Sequence, residues 1–91
     1  MRSEWDPEKA SHNLKKHGVS FEEAKTVFDD ALFLVYADPA HSMEENRLLI
    51  LGQSDRGRLL VVAYTERRKS VRLISAREAT RRERKAYEEE G

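Results

Sequence analysis

Leu59-Leu60-Val61-Val62-Ala63-Tyr64-Thr65, then Arg67-Arg68-Lys69-Ser70, then Val71-Arg72-Leu73-Ile74-Ser75-Ala76 is the stretch that decides the fold. Two runs rich in β-branched and large apolar residues flank a polar connection too short for a crossover, which predicts two antiparallel strands. Working back along the chain, Ser54-Asp55-Arg56-Gly57 has turn chemistry, and Arg47 to Leu51, closed by Gly52, predicts the strand before it. Leu32 to Tyr36, closed by Asp38-Pro39, predicts another. Short connections between these successive strands imply an antiparallel meander.

Upstream, the spacing changes from two to three and four. Asp6-Pro7 is a helix start, with Asp6 able to cap free N–H groups and Pro7 suited to the first helical position. Ala10, Leu14 and His17 follow at helical spacing, and Gly18 is a natural stop. Ser20-Phe21-Glu22-Glu23 is a capping box for a second helix, with Val19 and Ala24 as its hydrophobic staple. Phe21, Ala24, Val27 and Phe28 give that helix one apolar face, and Asp29-Asp30 ends it. Arg2 to Trp5 is a short edge strand. At the other end, Arg77 to Glu90 predicts a helix capped by Ser75 with Glu78, thin in apolar residues beyond Ala79, Ala86 and Tyr87. The order is β-α-α-β-β-β-β-α. It predicts an α+β domain over residues 1–91, a small antiparallel sheet with two N-terminal helices and a C-terminal helix.

Charge is distributed unevenly over this frame. The 91 residues carry no formal net charge, yet residues 1–66 hold 8 Lys/Arg against 12 Asp/Glu, while residues 67–85 hold 9 against 2. A positive end on a neutral protein is the footprint of a phosphate binder, although a solvated basic helix gives the same run. With no cysteine there is no disulfide framework and no thiolate chemistry. The start lacks an apolar signal region, and Ala31 to Ala37, the longest apolar run, is too short to span a membrane, so the chain is expected in the cytoplasm. No metal-ligand spacing, glycine-rich phosphate loop or nucleophile elbow is present.

Several motifs together resemble one family. They are Trp5-Asp6-Pro7-Glu8-Lys9, Asn13 through Ala24, Asp38, His41-Ser42, Glu45 with Arg47, Gly52, Gly57-Arg58-Leu59-Leu60, Thr65-Glu66-Arg67, and Arg72 through Arg77 followed by Ala79-Thr80, Glu83-Arg84 and Tyr87. In order and over nearly the whole chain, they resemble the BrnT toxins. Asp30-Ala31 departs from the Asp-Pro often found there, which touches a turn. The resemblance implies a fold similar to RelE toxins and RNA cleavage that stops translation. It also implies pairing with a BrnA-type antitoxin that carries a ribbon-helix-helix DNA-binding part, the complex repressing its own operon.

A ribonuclease working without a metal needs a group to take the proton from a 2′-hydroxyl, cations on the phosphate and an acid for the departing 5′-oxygen. The candidate catalytic set is His41, Glu45, Arg47, Arg67, Arg72 and Arg77, with Arg58, Lys69 and Arg81 as candidate RNA-binding residues and no metal or cofactor. Arginine suits the phosphate because its planar fork holds two oxygens and stays charged. Strict alternation would put Arg72 on the strand face of Ile74 and Ala76, which suggests a cleft. Ion pairs of Arg47 with Glu45, or of Arg72 with Glu66, would instead merely decorate the sheet. His41 sits in a polar segment where a histidine can act as acid or base, or do nothing. His12, His17 and Lys16, on the first helix, are expected to stand outside the chemistry. The rivals to an enzyme are a non-catalytic basic nucleic-acid-binding module, which the arginines serve equally well, and a purely structural partner for another chain.

Overall fold

The computed structural model describes residues 2–41 and 46–90, the side chain of His41 excepted. In chain order the elements are β1 (Arg2–Glu4), α1 (Pro7–His17), and α2 (Phe21–Ala24), which tightens into a 3-10 turn (Lys25–Asp29). There follow β2 (Leu34–Ala37), a second 3-10 turn (Pro39–His41), β3 (Arg47–Gln53), β4 (Leu59–Glu66), β5 (Ser70–Glu78) and α3 (Arg81–Glu90).

The four later strands form the expected antiparallel meander, but the sheet as a whole is mixed. Its order is β1-β5-β4-β3-β2, and β1 runs parallel to β5. Hairpin geometry fixes direction only between strands joined by short turns. The helices follow β1 in the chain and carry it from the β5 edge to the β2 edge, so turn chemistry never constrained its direction.

Strand β4 is buried on both faces from Leu59 to Tyr64, which explains why it reads as a continuous apolar run. On one face Val19, Phe21, Ala24 and Val27 pack over Ile50, Leu60, Val62, Tyr64, Val71 and Leu73. Burial of a side chain such as Phe21, 0% exposed, stabilises by about 1.5–3 kcal/mol. Trp5 meets Phe21 edge-on at 5.9 Å, and Phe28 meets Tyr64 at 5.0 Å, so both Trp5 and Tyr64 belong to the core. On the other face Ala79, in the connection before α3, and Tyr87 of α3 lie over Leu51, Leu59 and Val61.

Local signals hold at α1: Asp6 Oδ1 accepts from Glu8 N–H, and Gly18, at φ 70°, donates its N–H to Leu14 O. Ser20 caps α2 through Glu23 N–H as expected. Glu23 does not return the bond. Its buried carboxylate accepts instead from Ser54 Oγ at 2.7 Å and Arg58 Nε at 3.0 Å. The C-terminal helix starts four residues later than its sequence suggests. Pairing with β4 holds β5 extended to Glu78, so the working capping box is Thr80 with Glu83 rather than Ser75 with Glu78.

Candidate active site

Three strands bring one row of side chains together. Arg47 on β3 pairs in register with Thr65 on β4, and Thr65 pairs with Arg72 on β5. All three side chains lie on the α3 face, because Arg47 alternates with Leu49 and Leu51, and Thr65 with Val61 and Ala63. Arg72 joins them through a bulge. Ala63 pairs with Ser75 and Tyr64 with Leu73, so Ile74 has no partner and the alternation of β5 shifts phase there. Arg72 thus shares its face with Ser75 and Arg77, not with Ile74 and Ala76.

The two arginines of the row are held differently. Arg47 donates from Nε to Asp38 Oδ2 at 3.1 Å, and Asp38, buried, also accepts from Ala40 N–H. Arg72 lies 3.6 Å from Glu4 Oε1, with both side chains substantially exposed. An exposed pair of this kind restrains an arginine weakly and leaves its charge open to a ligand. Between them the Thr65 hydroxyl is buried without a hydrogen-bond partner among the described residues. A cavity of about 250 Å³, lined by Asn46, Thr65, Glu66 and Arg67, opens at this end of β4. That places Arg67 at the mouth of the row.

The other expected residues fall farther out. Arg77 pairs with Val61, so it sits on the same face four residues along β4 from the row, about 13 Å. Its guanidinium forks onto Glu83 of α3 at 2.8 and 2.9 Å. That fork, ahead of opposing burial, holds the Glu83 carboxyl down to about 2 and raises Arg77. Arg81 is exposed in the first turn of α3, and Lys69 is exposed in the β4–β5 connection. Arg58 lies at the opposite end of β4 from Thr65, about 23 Å away. There it grips Glu23, donates to Gly18 O at 3.1 Å and approaches Glu78. Its hydrogen bonds lower the Glu23 pKa, against burial, and Glu23 raises that of Arg58 in turn. His41 closes the turn after Asp38 with its backbone, and Glu45 lies outside the described residues.

Three participants on this face escaped the sequence analysis as site residues. Thr65 and Asp38 were visible only as motif letters. Tyr36 alternates with Leu34 on β2 and packs on the α3 face beside Leu49. Burial, then the charge of Glu83, pushes its phenol up against a smaller pull from Arg77. Among the described residues no three His, Cys, Asp or Glu side chains gather as a metal site, and no helix is long and apolar enough to cross a membrane.

The family described as "Ribonuclease toxin, BrnT, of type II toxin-antitoxin system" matches residues 5–83. The chain belongs to the BrnT ribonuclease toxins. As a type II system, the family implies an antitoxin partner for its toxins. The fold is similar to that in the crystal structure of the Brucella abortus ribonuclease toxin, BrnT, with a TM-score of 0.68 at 20% identity over 89% of this chain and 100% of that one. Comparison with the curated proteins gives no match. The BrnT scaffold is therefore a mixed five-stranded sheet with helices on both faces, and the arginine row lies on the face shared with α3.

Proposed function

We propose that this BrnT toxin is a metal-independent endoribonuclease that inhibits translation in the cytoplasm by cleaving RNA. The observation that carries this reading is the row Arg47–Thr65–Arg72, two cations flanking a buried hydroxyl that has no hydrogen-bond partner among the described residues. Arg47 and Arg72 bind the scissile phosphate, with Arg67 at the mouth of the cavity. Cations placed at the phosphate stabilise charge that develops in the transition state. His41 and Glu45 are the proton-transfer groups: one takes the 2′-hydroxyl proton, and the 2′-oxygen bonds to phosphorus. The phosphorus–5′-oxygen bond then breaks, and the leaving oxygen takes a proton from the other. Lys69 and Arg81 extend the positive surface to flanking phosphates. Arg58, tied to Glu23 at the far end of the sheet, is left out of the RNA-binding set.

The inhibitor is a BrnA-type antitoxin with a ribbon-helix-helix DNA-binding part, and it covers the arginine face. An inhibitor gains most by occluding the cations that the substrate needs. The scaffold is read as RelE-like on the same grounds: a small sheet presenting arginines beside α3, with α1 and α2 behind it. Induced expression with and without the antitoxin tests the whole reading. The toxin alone should arrest growth and degrade RNA, and the purified protein should cleave RNA in excess EDTA. Cleavage that requires added divalent metal would refute the mechanism, and RNA binding without cleavage would favour a non-catalytic nucleic-acid-binding module.

A further inference from the structure

Away from the arginine row, a groove of about 360 Å³ runs between α1 and the outer edge of β5. Among the described residues, β1 pairs with β5 only at Ser70, Val71 and Arg72, and no strand pairs with the edge beyond Arg72. Asn13 of α1 closes that edge at one point, its side-chain amide exchanging hydrogen bonds with Ala76 N–H and O at 3.0 and 2.9 Å. Between these two fixtures lies the bulge, which presents Ile74 and Ser75 to the groove. The opposite wall is α1, with Lys9, His12, Lys16 and His17. Lys9 and Lys16 are two turns apart on one side of the helix, about 10 Å along its axis. Asp6 and Glu8 line the other end, but Asp6 accepts from Glu8 N–H as the helix cap, and the last turn carries Lys15, Lys16 and His17. The groove is thus positive toward the C-terminal end of α1.

The groove borders the proposed catalytic face across the edge of β5. Ser75 lines it and also stands between Arg72 and Arg77 on that face. A single strand of RNA that turns from Arg72 toward Arg77 can reach this groove at Ile74 and Ser75, beyond the end of β1. Ile74, half-buried, offers an apolar seat and His12 a flat ring, the pairing that unstacked bases use.

We propose that this groove is a second nucleotide subsite, in which Lys9 and Lys16 take phosphates flanking the cleavage point while Ile74 and His12 seat a base. The proposal rests on the ribonuclease reading for its substrate class, but not on cleavage for its test. The probe is a 2′-O-methyl RNA of about twelve nucleotides, within the site sizes of single-strand binders, which presents phosphates and bases yet cannot be cut through its 2′-oxygen. Both lysines are exposed on a helix, so alanine leaves the fold intact. The Lys9→Ala/Lys16→Ala double variant should bind this strand roughly ten-fold more weakly, with the salt slope reduced by about 1.4, or 0.7 per phosphate contact. Lys25→Ala, an exposed lysine on the 3-10 turn, should bind as the wild type does. Unchanged affinity and slope in the double variant, an equal loss in Lys25→Ala, or no binding by the wild type would each overturn the subsite. Failure of the wild type to cut ordinary RNA would refute the ribonuclease reading and leave this binding result standing.

Discussion

Arg72 and Arg77 lie five residues apart on β5 and yet on the same face of the sheet. In an unbroken strand an odd separation puts two side chains on opposite faces. The unpaired Ile74 shifts the phase, so Arg72 meets Thr65 in the row while Arg77 meets Val61 under α3. The same residue faces the groove along α1. One bulge therefore assembles the cationic face and also opens the edge beside it. The two arginines then divide their work: Arg72 is paired only weakly with Glu4, and Arg77 is committed to Glu83.

That commitment makes α3 sensitive to acid. None of its residues is buried, and a helix of 10 residues is marginal alone. It is held to the body by the Arg77–Glu83 fork and by Tyr87, whose hydroxyl donates to Asp30 at 2.6 Å. Asp30 pushes the Tyr87 hydroxyl up to about 12, so the phenol stays protonated at any working pH. Against burial, the Asp30 carboxyl is held below its ordinary value by the hydrogen bonds of Tyr87, Gln53 and Leu32. Glu83 is the more strongly shifted of the two carboxylates, at about 2 in the folded chain against an ordinary 4.5. A depressed carboxylate contributes stability above its unfolded value and loses it as pH falls through the folded one. Protection of the α3 amides, relative to their intrinsic exchange rate at each pH, should therefore fall between about pH 4.5 and 2, and Glu83→Gln should show low protection already at neutral pH. Equal protection at pH 3 and pH 7 would show that the fork does not hold the helix.

Arg58 is expected to stabilise rather than to bind RNA. It neutralises a carboxylate, Glu23, that is 5% exposed. Arg58→Ala strands that charge and should cost about 3 kcal/mol in urea unfolding, with RNA affinity unchanged at temperatures where the variant stays folded. Wild-type stability with weakened RNA binding would return Arg58 to the RNA-binding surface.

Asn13 makes three hydrogen bonds, two that close the β5 edge at Ala76 O and N–H and one to Val19 O after α1. Asn13→Ala leaves buried backbone groups unpaired and should destabilise by about 2–3 kcal/mol. Asn13→Asp replaces the donating amide with an acceptor facing two carbonyls, and should be worse. Thermal unfolding of the three proteins gives the order, and an Asp variant as stable as wild type would contradict this role.

The amino-acid sequence shows the elements better than their relationships. Caps at Asp6 and Ser20, the stop at Gly18 and the β3–β4–β5 meander are local signals, and each is present in the fold. Gly52 read as a stop, yet it continues β3. A Cβ there would lie 2.9 Å from Val27 Cγ1 and 3.2 Å from Asp30 Oδ2, so the glycine serves a close approach invisible in one dimension. The parallel partner of β1 depends on a crossover, and the reach of Glu23 to Arg58 spans 35 residues. At the site, Arg47 was legible as a strand cation, but its partner Asp38 was not. The face of Arg72 was misjudged because nothing in Val71-Arg72-Leu73-Ile74-Ser75-Ala76 marks which residue bulges.

The most direct test of the arginine row is single-turnover cleavage of RNA in EDTA by the wild type and by Arg72→Ala, with affinity for a 2′-O-methyl strand measured alongside. Arg72 is exposed and weakly paired, so its removal should leave the fold intact. A cation that acts on the transition state should lower the cleavage rate by about 10²–10³, with little change in affinity. If Arg72→Ala instead cleaves at the wild-type rate, the phosphate is not bound at the row and this account of the active site is wrong.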